Sequence, residues 1–298
     1  MEKFIIIEIG STNTKAYLYE NDKVNDLGFK TIEFKNNFKK NNKILNDDKN
    51  LLYDYIKSFS EKNIYVYGTS IFRNLTEEQK ESWKIEFKQN TGLDFNIVSS
   101  DEENELTVYG AVSNINITGK IAVMIGGGGS TELAIVENNK IIEKCNFPFG
   151  AIDVVEMFPD LKEDYATSNF EEMLCKINTL IKKPRNKVDK MILAGGDYIY
   201  FYEELNYPVE KNNFYTNELQ PYALSVDIMN KYDSKFIYEM SLDEICKRTN
   251  KEGWWRGARG ARLCVKALVD ILGVKYIIPT RISMVYGIVE KIKNNEGV

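Results

Sequence analysis

Two short turns rich in glycine and hydroxyl residues are the parts of this sequence best suited to chemistry. They are Gly10-Ser11-Thr12-Asn13, followed by Lys15, and Gly127-Gly128-Gly129-Ser130-Thr131, followed by Glu132. Glycine lets backbone amides approach an anion with no Cβ in the way, and serine and threonine hydroxyls add donors, so such turns can cradle phosphate. Lys15 either adds positive charge there or is an ordinary strand-surface lysine. A third candidate is Tyr67-Gly-Thr-Ser-Ile-Phe-Arg73, which places Thr69, Ser70 and Arg73 where a strand gives way to a helix. Anions are commonly held at such junctions, and Arg73 could fork onto a phosphate or make a structural ion pair. The acidic run Ser100-Asp-Glu-Glu-Asn-Glu105 supplies carboxylates. Ser100 and Glu103 fit a capping box at a helix start, and the same run could offer a general base to a water attacking phosphorus. Gly195-Gly196-Asp197 closes another strand and is either a simple turn or a ligand contact.

The absence of histidine from all 298 residues narrows the chemistry. It excludes a Ser-His-Asp triad, a Cys-His dyad and an imidazole metal site, leaving acid-base work to carboxylates, lysine, tyrosine or water. Cys145, Cys175, Cys246 and Cys264 have no paired spacing, so buried free thiols are expected rather than disulfides or a zinc knuckle.

The elements that must position these residues are visible as a repeat. Ile9 to Val24 aligns with Ile125 to Ile141 if one gap is allowed. Each copy reads as strand, Gly/Ser/Thr turn, strand, Asn-Asp or Asn-Asn turn, strand. Further strands are expected at Asn63 to Tyr67, Asn96 to Val98, Lys190 to Ala194 and Lys275 to Ile278. Helices are expected at Thr76 to Thr91, from Ser100, and at Phe170 to Ile181, Tyr222 to Tyr232, Ser241 to Asn250, Gly260 to Leu272 and Ser283 to Ile292. Strands alternating with helices define an α/β protein. The length suits two units, and the polar stretch around residue 117 divides it into 1–117 and 118–298. No apolar run approaches the ~20 residues of a membrane span. The N-terminus lacks the pattern of a signal peptide, so a cytoplasmic protein is expected. A net charge of −5 argues against a nucleic-acid coat, although the basic stretches 35–43 and 182–187 could guide a polyanion.

Taken in order, Glu8-Ile-Gly-Ser-Thr-Asn-Thr-Lys15, Gly68-Thr-Ser-Ile-Phe-Arg73, Ser99 to Leu106, Gly127-Gly-Gly-Ser-Thr-Glu-Leu133 and Ala194-Gly-Gly196 resemble the exopolyphosphatase and guanosine pentaphosphate phosphohydrolase (Ppx/GppA) family. The resemblance runs over nearly the whole chain, in a short form without the family's C-terminal helical domain. It implies a two-lobed actin-like fold, of the sugar kinase and ribonuclease H-like type, with duplicated mixed sheets. It also implies release of terminal phosphate from polyphosphate or guanosine pentaphosphate with Mg2+ or another divalent cation, and a homodimer. By the same resemblance Glu103 is the catalytic base. Gly10, Ser11, Thr12, Asn13, Lys15 and Arg73, with Gly127, Gly128, Gly129, Ser130 and Thr131, bind phosphate, and Glu8 and Glu132 are metal positions. The sequence departs from the family where an aspartate precedes the second turn. That place holds Ile125, or Met124 if the extra glycine is an insertion, and Val285-Tyr286 stands for an Arg-Glu pair. A second expectation follows from this departure: a polyphosphate- or alarmone-binding protein with weakened catalysis.

Overall fold

The computed structural model describes residues 3–61, 63–113, 115–195 and 198–294. Gly196 and Asp197 of the third glycine segment lie outside the described residues. Packing divides the chain into two compact units, residues 1–105 with 291–298, and residues 106–290. The polar stretch around residue 117 lies within the second.

In unit 1, strands β1 (Phe4–Ile9), β2 (Asn13–Glu20) and β3 (Lys23–Thr31) form an antiparallel meander. Helices α1 (Phe34–Asn41) and α2 (Asn46–Lys57) lead into β4 (Ile64–Gly68), and α3 (Glu77–Thr91) leads into β5 (Phe95–Ile97). Helix α4 (Ser100–Val112) carries the chain into unit 2. The sheet order is β3-β2-β1-β4-β5, with β1, β4 and β5 mutually parallel. Ile5, Ile7 and Ile9 alternate along β1 toward a core of Leu52, Phe72, Trp83, Phe87 and Phe95. Each such side chain contributes about 1.5–3 kcal/mol by leaving water. Gly68 is required where it stands, because a Cβ there would lie 2.4 Å from the Phe95 ring.

Unit 2 repeats the plan on a larger scale. Strands β6 (Lys120–Gly126), β7 (Thr131–Glu137) and β8 (Lys140–Phe147) form its meander, followed by α5 (Ala151–Met157), α6 (Phe170–Asn178), β9 (Lys190–Ala194) and α7 (Tyr200–Leu205). The short strands β10 (Glu210–Lys211) and β11 (Tyr222–Ser225) precede α8 (Val226–Tyr238), α9 (Leu242–Thr249) and α10 (Glu252–Leu272), and then β12 (Tyr276–Pro279) and α11 (Met284–Lys293). The order β8-β7-β6-β9-β12 matches unit 1 strand for strand, and β11 and β10 extend the far edge. Two cores lie on the faces of this sheet, one built around Met124, Leu133, Phe201, Phe236 and Trp255, the other around Val123, Val136, Ile192 and Ile278. These are the duplicated mixed sheets of the actin-like α/β fold. Among the described residues no helix is long and apolar enough to cross a membrane.

The two meanders superpose in register without a gap, position n of the first corresponding to n + 117 of the second. Glu8 pairs with Lys15 across β1 and β2, and Ile125 pairs with Glu132 across β6 and β7. Both outer hairpins turn on two left-handed residues, Asn21-Asp22 (φ 54° and 60°) and Asn138-Asn139 (φ 50° and 57°), the geometry that matches strand twist. The single gap expected from the sequence is therefore not present. The extra glycine, Gly126, takes the strand position that Ile9 holds in the first copy.

Three other expectations change. Tyr222 to Tyr232 is not one helix: Tyr222–Ser225 pairs with β12, and Ser225 then caps α8, its hydroxyl accepting the Ile228 amide at 3.4 Å. Helix α10 begins at Glu252 rather than Gly260. Gly260 sits mid-helix because a Cβ there would lie 2.2 Å from the Ala151 carbonyl, so it sets how closely α5 packs on α10. Among the cysteines, Cys246 and Cys264 are buried but Cys175 is exposed.

Candidate active site

Within unit 1 the sequence-selected residues converge through a chain of short contacts. The first turn is closed by the Gly10 amide donating to the Asn13 carbonyl at 3.0 Å. It is tied down on both sides, for the Thr69 amide donates to Ile9 (3.0 Å) and the Ile32 and Lys35 amides donate to Thr12 (2.8 Å) and Ser11 (2.9 Å). Ser11 and Ser70 hydroxyls are hydrogen-bonded to each other. Ser70 begins the 3-10 turn Ser70–Asn74 with φ 50°, an uncommon conformation for a residue with a Cβ. Arg73, three residues on, donates through Nη1 to the Ser100 hydroxyl and through Nη2 to the Glu103 carboxylate. Turn, 3-10 segment and the start of α4 thus form one polar surface. Glu103 and Arg73 are partly exposed on it, with 34% and 23% of their side chains accessible.

The capping box is displaced by one residue from its expected place. Ser99 caps α4, its hydroxyl accepting the Glu102 amide (3.2 Å) while Glu102 accepts the Ser99 amide (2.8 Å). The bond from the Ser99 amide holds the Glu102 carboxyl below its ordinary value. Ser99 and Glu102 take the capping role, and Ser100 and Glu103 face Arg73.

In unit 2 the second turn has the same closure, Gly127 amide to Ser130 carbonyl at 2.9 Å. Its outer carbonyls are engaged by the start of α5, with Ala151 donating to Gly127 (3.0 Å) and Ile152 to Gly128 (2.8 Å). Sequence reasoning missed Gly150, where a Cβ would lie 2.4 Å from the Gly127 carbonyl. It also missed Tyr198, whose hydroxyl lies 1.9 Å from where a Cβ on Gly126 would be. A signal for Gly150 was available in the Phe-Gly-Ala junction before a helix, but none was available for Tyr198. Thr131, expected among the phosphate contacts, is only 1% exposed and donates its hydroxyl to the Phe149 carbonyl (3.0 Å). Its side chain serves the core. The amides of Gly10 and Gly127 likewise close their own turns, so these two glycines contribute room rather than donors. The Cys264 thiol, which bonds near Thr131, is pushed up to about 12 by burial and offers no thiolate.

In the register of the two copies Ile125, cross-strand partner of Glu132, corresponds to Glu8. Met124 is fully buried and points to the opposite core. Each turn therefore has one carboxylate beside it, Glu8 on the first strand of its pair and Glu132 on the second of its own. Cross-strand partners share a face, so Glu132 lies beside the place where Glu8's counterpart is missing. Among the described residues no group of three or more Asp, Glu or Cys side chains gathers to hold a metal ion.

An α/β fold with two copies of a turn-bearing meander defines a protein of actin-like architecture. The chain belongs to the Ppx/GppA phosphatase family, whose model matches residues 32–213. The match begins beyond the first turn. The chain is similar to the crystal structure of the Ppx/GppA family member of Aquifex aeolicus, with TM-score 0.74, 20% identity and 99% of each chain covered. It is also similar to an exopolyphosphatase from Cytophaga hutchinsonii, with TM-score 0.68, 16% identity and 99% of each chain covered. No curated protein matches its sequence.

Proposed function

We propose that this protein is a phosphoanhydride hydrolase that releases the terminal phosphate of inorganic polyphosphate or of guanosine pentaphosphate. The observation that carries this reading is the contact chain from Ser11 through Ser70 and Arg73 to Glu103, which puts the first glycine turn, a guanidinium and a carboxylate on one surface. Without substrate, Arg73 neutralises Glu103. A phosphate at the first turn competes for the same guanidinium, whose planar fork suits phosphate oxygens. Glu103, released from that pair, accepts a proton from water as the water oxygen bonds to phosphorus and the bridging P–O bond breaks toward the shortened chain. General-base contributions of this kind reach about 10²–10⁴-fold. Ser11, Thr12, Asn13 and Lys15 act as first-turn contacts, and Gly128, Gly129 and Ser130 as those of the second turn.

A divalent cation such as magnesium, which generally keeps several waters and uses one or two carboxylates plus phosphate oxygens, fits a donor set of single carboxylates. Glu8 is the carboxylate that the first unit would offer it and Glu132 the one that the second would offer, and when bound it would neutralise charge on the phosphates. Phosphate release from long-chain polyphosphate with magnesium tests the reading. Glu103→Gln should lose activity by the factor above, and equal activity of the two proteins removes Glu103 from the role of base.

One observation favours a second reading. Ile125, now placed at the register position of Glu8, leaves the second copy without a first-strand acid. This fits a polyphosphate- or alarmone-binding protein with little turnover. Tight binding of guanosine tetraphosphate or polyphosphate in calorimetry, with no hydrolysis under any divalent metal, would select it over the first.

A further inference from the structure

Helix α1 was not expected from the sequence, and its charge is unusual for this molecule. Lys35, Lys39 and Lys40 lie on it and Lys43 follows its left-handed cap at Asn42 (φ 53°); all four are exposed. Among the described residues none of the four makes an ion pair. Some helix lysines elsewhere are matched, as in Lys80–Glu77 and Lys84–Glu81 on α3 and Lys266–Asp270 on α10, and others among the described residues, such as Lys176 and Lys231, are not. What sets α1 apart, in a chain with 44 acids against 39 bases, is that four such lysines fall within residues 35–43. It carries a cost, because α1 has no acid in its first turn and no side-chain cap. Lys35 there opposes the helix dipole, and Lys35 and Lys39 repel at i,i+4 spacing. The helix begins against the first turn, where the Lys35 amide donates to the Ser11 carbonyl at 2.9 Å. The buried Asp48 is held by the Asn37 side chain at 3.0 Å and offers the lysines no counter-charge.

We propose that α1 and Lys43 form a track for the trailing phosphates of a linear polyphosphate whose end is held at the first turn. The proposal rests on the hydrolase reading above and names polyphosphate, rather than a nucleotide, as the substrate that uses this surface. Nucleic acid is the poorer fit. Phe34 is 1% exposed and Phe38 packs on the core, so no aromatic face is presented for base stacking. Residues 30–43 contain no arginine, and lysines act as point charges suited to phosphate without planar recognition. The track ends at Lys43, since the cavity that Lys43 borders is otherwise lined by Asp47, Glu78 and Glu86, with Lys49 already paired to Glu86 at 2.6 Å.

The test compares the whole protein with the variant Lys35→Gln/Lys39→Gln/Lys40→Gln/Lys43→Gln, and with a control of equal charge change in unit 2, Lys140→Gln/Lys176→Gln/Lys231→Gln/Lys247→Gln. Binding and KM are measured for long-chain polyphosphate and for tripolyphosphate over a salt series. The α1 variant should weaken long-chain binding by about ten- to a hundredfold and flatten its log–log salt dependence by about 0.7 per lysine removed. Tripolyphosphate kinetics and kcat should not move, the melting temperature should hold or rise slightly as the repulsion is relieved, and the control should show no length dependence. Equal losses for both lengths, an unchanged long-chain affinity, the same loss in the control, or single-stranded RNA bound as tightly as polyphosphate would each overturn the track. Wild-type protein that binds long chains through α1 yet hydrolyses neither substrate would sink the hydrolase reading and leave the track standing.

Discussion

On the proposed reading Arg73 has one guanidinium and two claimants, Glu103 and an incoming phosphate. Removing it then has two opposed effects: Glu103 loses its Arg73 partner, and the phosphate loses a charge-assisted fork. The phosphate contact is made in ground and transition states alike, so Arg73→Ala should raise KM with little change in kcat, whereas Glu103→Gln should lower kcat with little change in KM. Steady-state kinetics of the two variants on one substrate separate these roles, and identical kcat and KM profiles would count against them. Ile125 is the complementary case. It is half-buried at the edge of the second core, so Ile125→Asp should cost about 1–3 kcal/mol in stability by burying a polar group. It also places a carboxylate at the register position of Glu8, and calorimetric titration should show tighter magnesium binding than wild type. Unchanged magnesium affinity would mean that Glu132 already supplies what that position lacks.

At the level of elements, the start of α4 shows how a cap positions a reactive group. Ser99→Ala should destabilise by about 1 kcal/mol, typical of a lost N-cap. It should also lower activity, because the first turn of α4 presents Ser100 and Glu103 to Arg73. The acid dependence has a defined sign. Glu102 has a folded pKa below its ordinary 4.5, so its contribution is complete above pH 4.5 and fades as pH falls through the lower folded value. Denaturant midpoints for wild type and Glu102→Gln should therefore converge on acidification. Two overlapping candidates, Ser99/Glu102 and Ser100/Glu103, satisfy the same spacing. Only the end of β5, with the Val98 amide bonded to Gly68 at 3.0 Å, chooses between them. The meanders were legible because their turns demand Asn, Asp and Gly at fixed places. Helices α1 and α2 were not, since Lys- and Asn-rich stretches carry little periodic apolar signal. The start of α10 was hidden by Gly253 and Gly257, which weaken helix propensity. Arg73 and Glu103 were selected by residue type, but their contact depends on strands 30 residues apart and could not be read locally.

Across the molecule, duplication explains the sheets, while the added helices of unit 2 need their own anchor. Helix α10 supplies two buried arginines for this. Arg259, fully inaccessible, donates to the carbonyls of Phe236 (3.1 Å), Glu163 (2.7 Å), Asp164 (2.9 Å) and Met240 (2.9 Å), fastening the loops around α8 and α9. Arg262 meets Asp233 of α8 through Nε (2.8 Å) and Nη2 (3.0 Å), and the Tyr207 hydroxyl donates to the same carboxylate at 3.1 Å. Asp233 beside it keeps the Arg262 guanidinium protonated. Burial costs such a pair much of its mutual attraction, so removing one partner is worse than removing both. Asp233→Leu or Arg262→Met alone should each destabilise by about 3–5 kcal/mol, and the double variant by clearly less than either. Urea unfolding of the four proteins forms the cycle. Additive losses would mean that each side chain acts through its own packing and that the ion pair does not organise the helical part of unit 2.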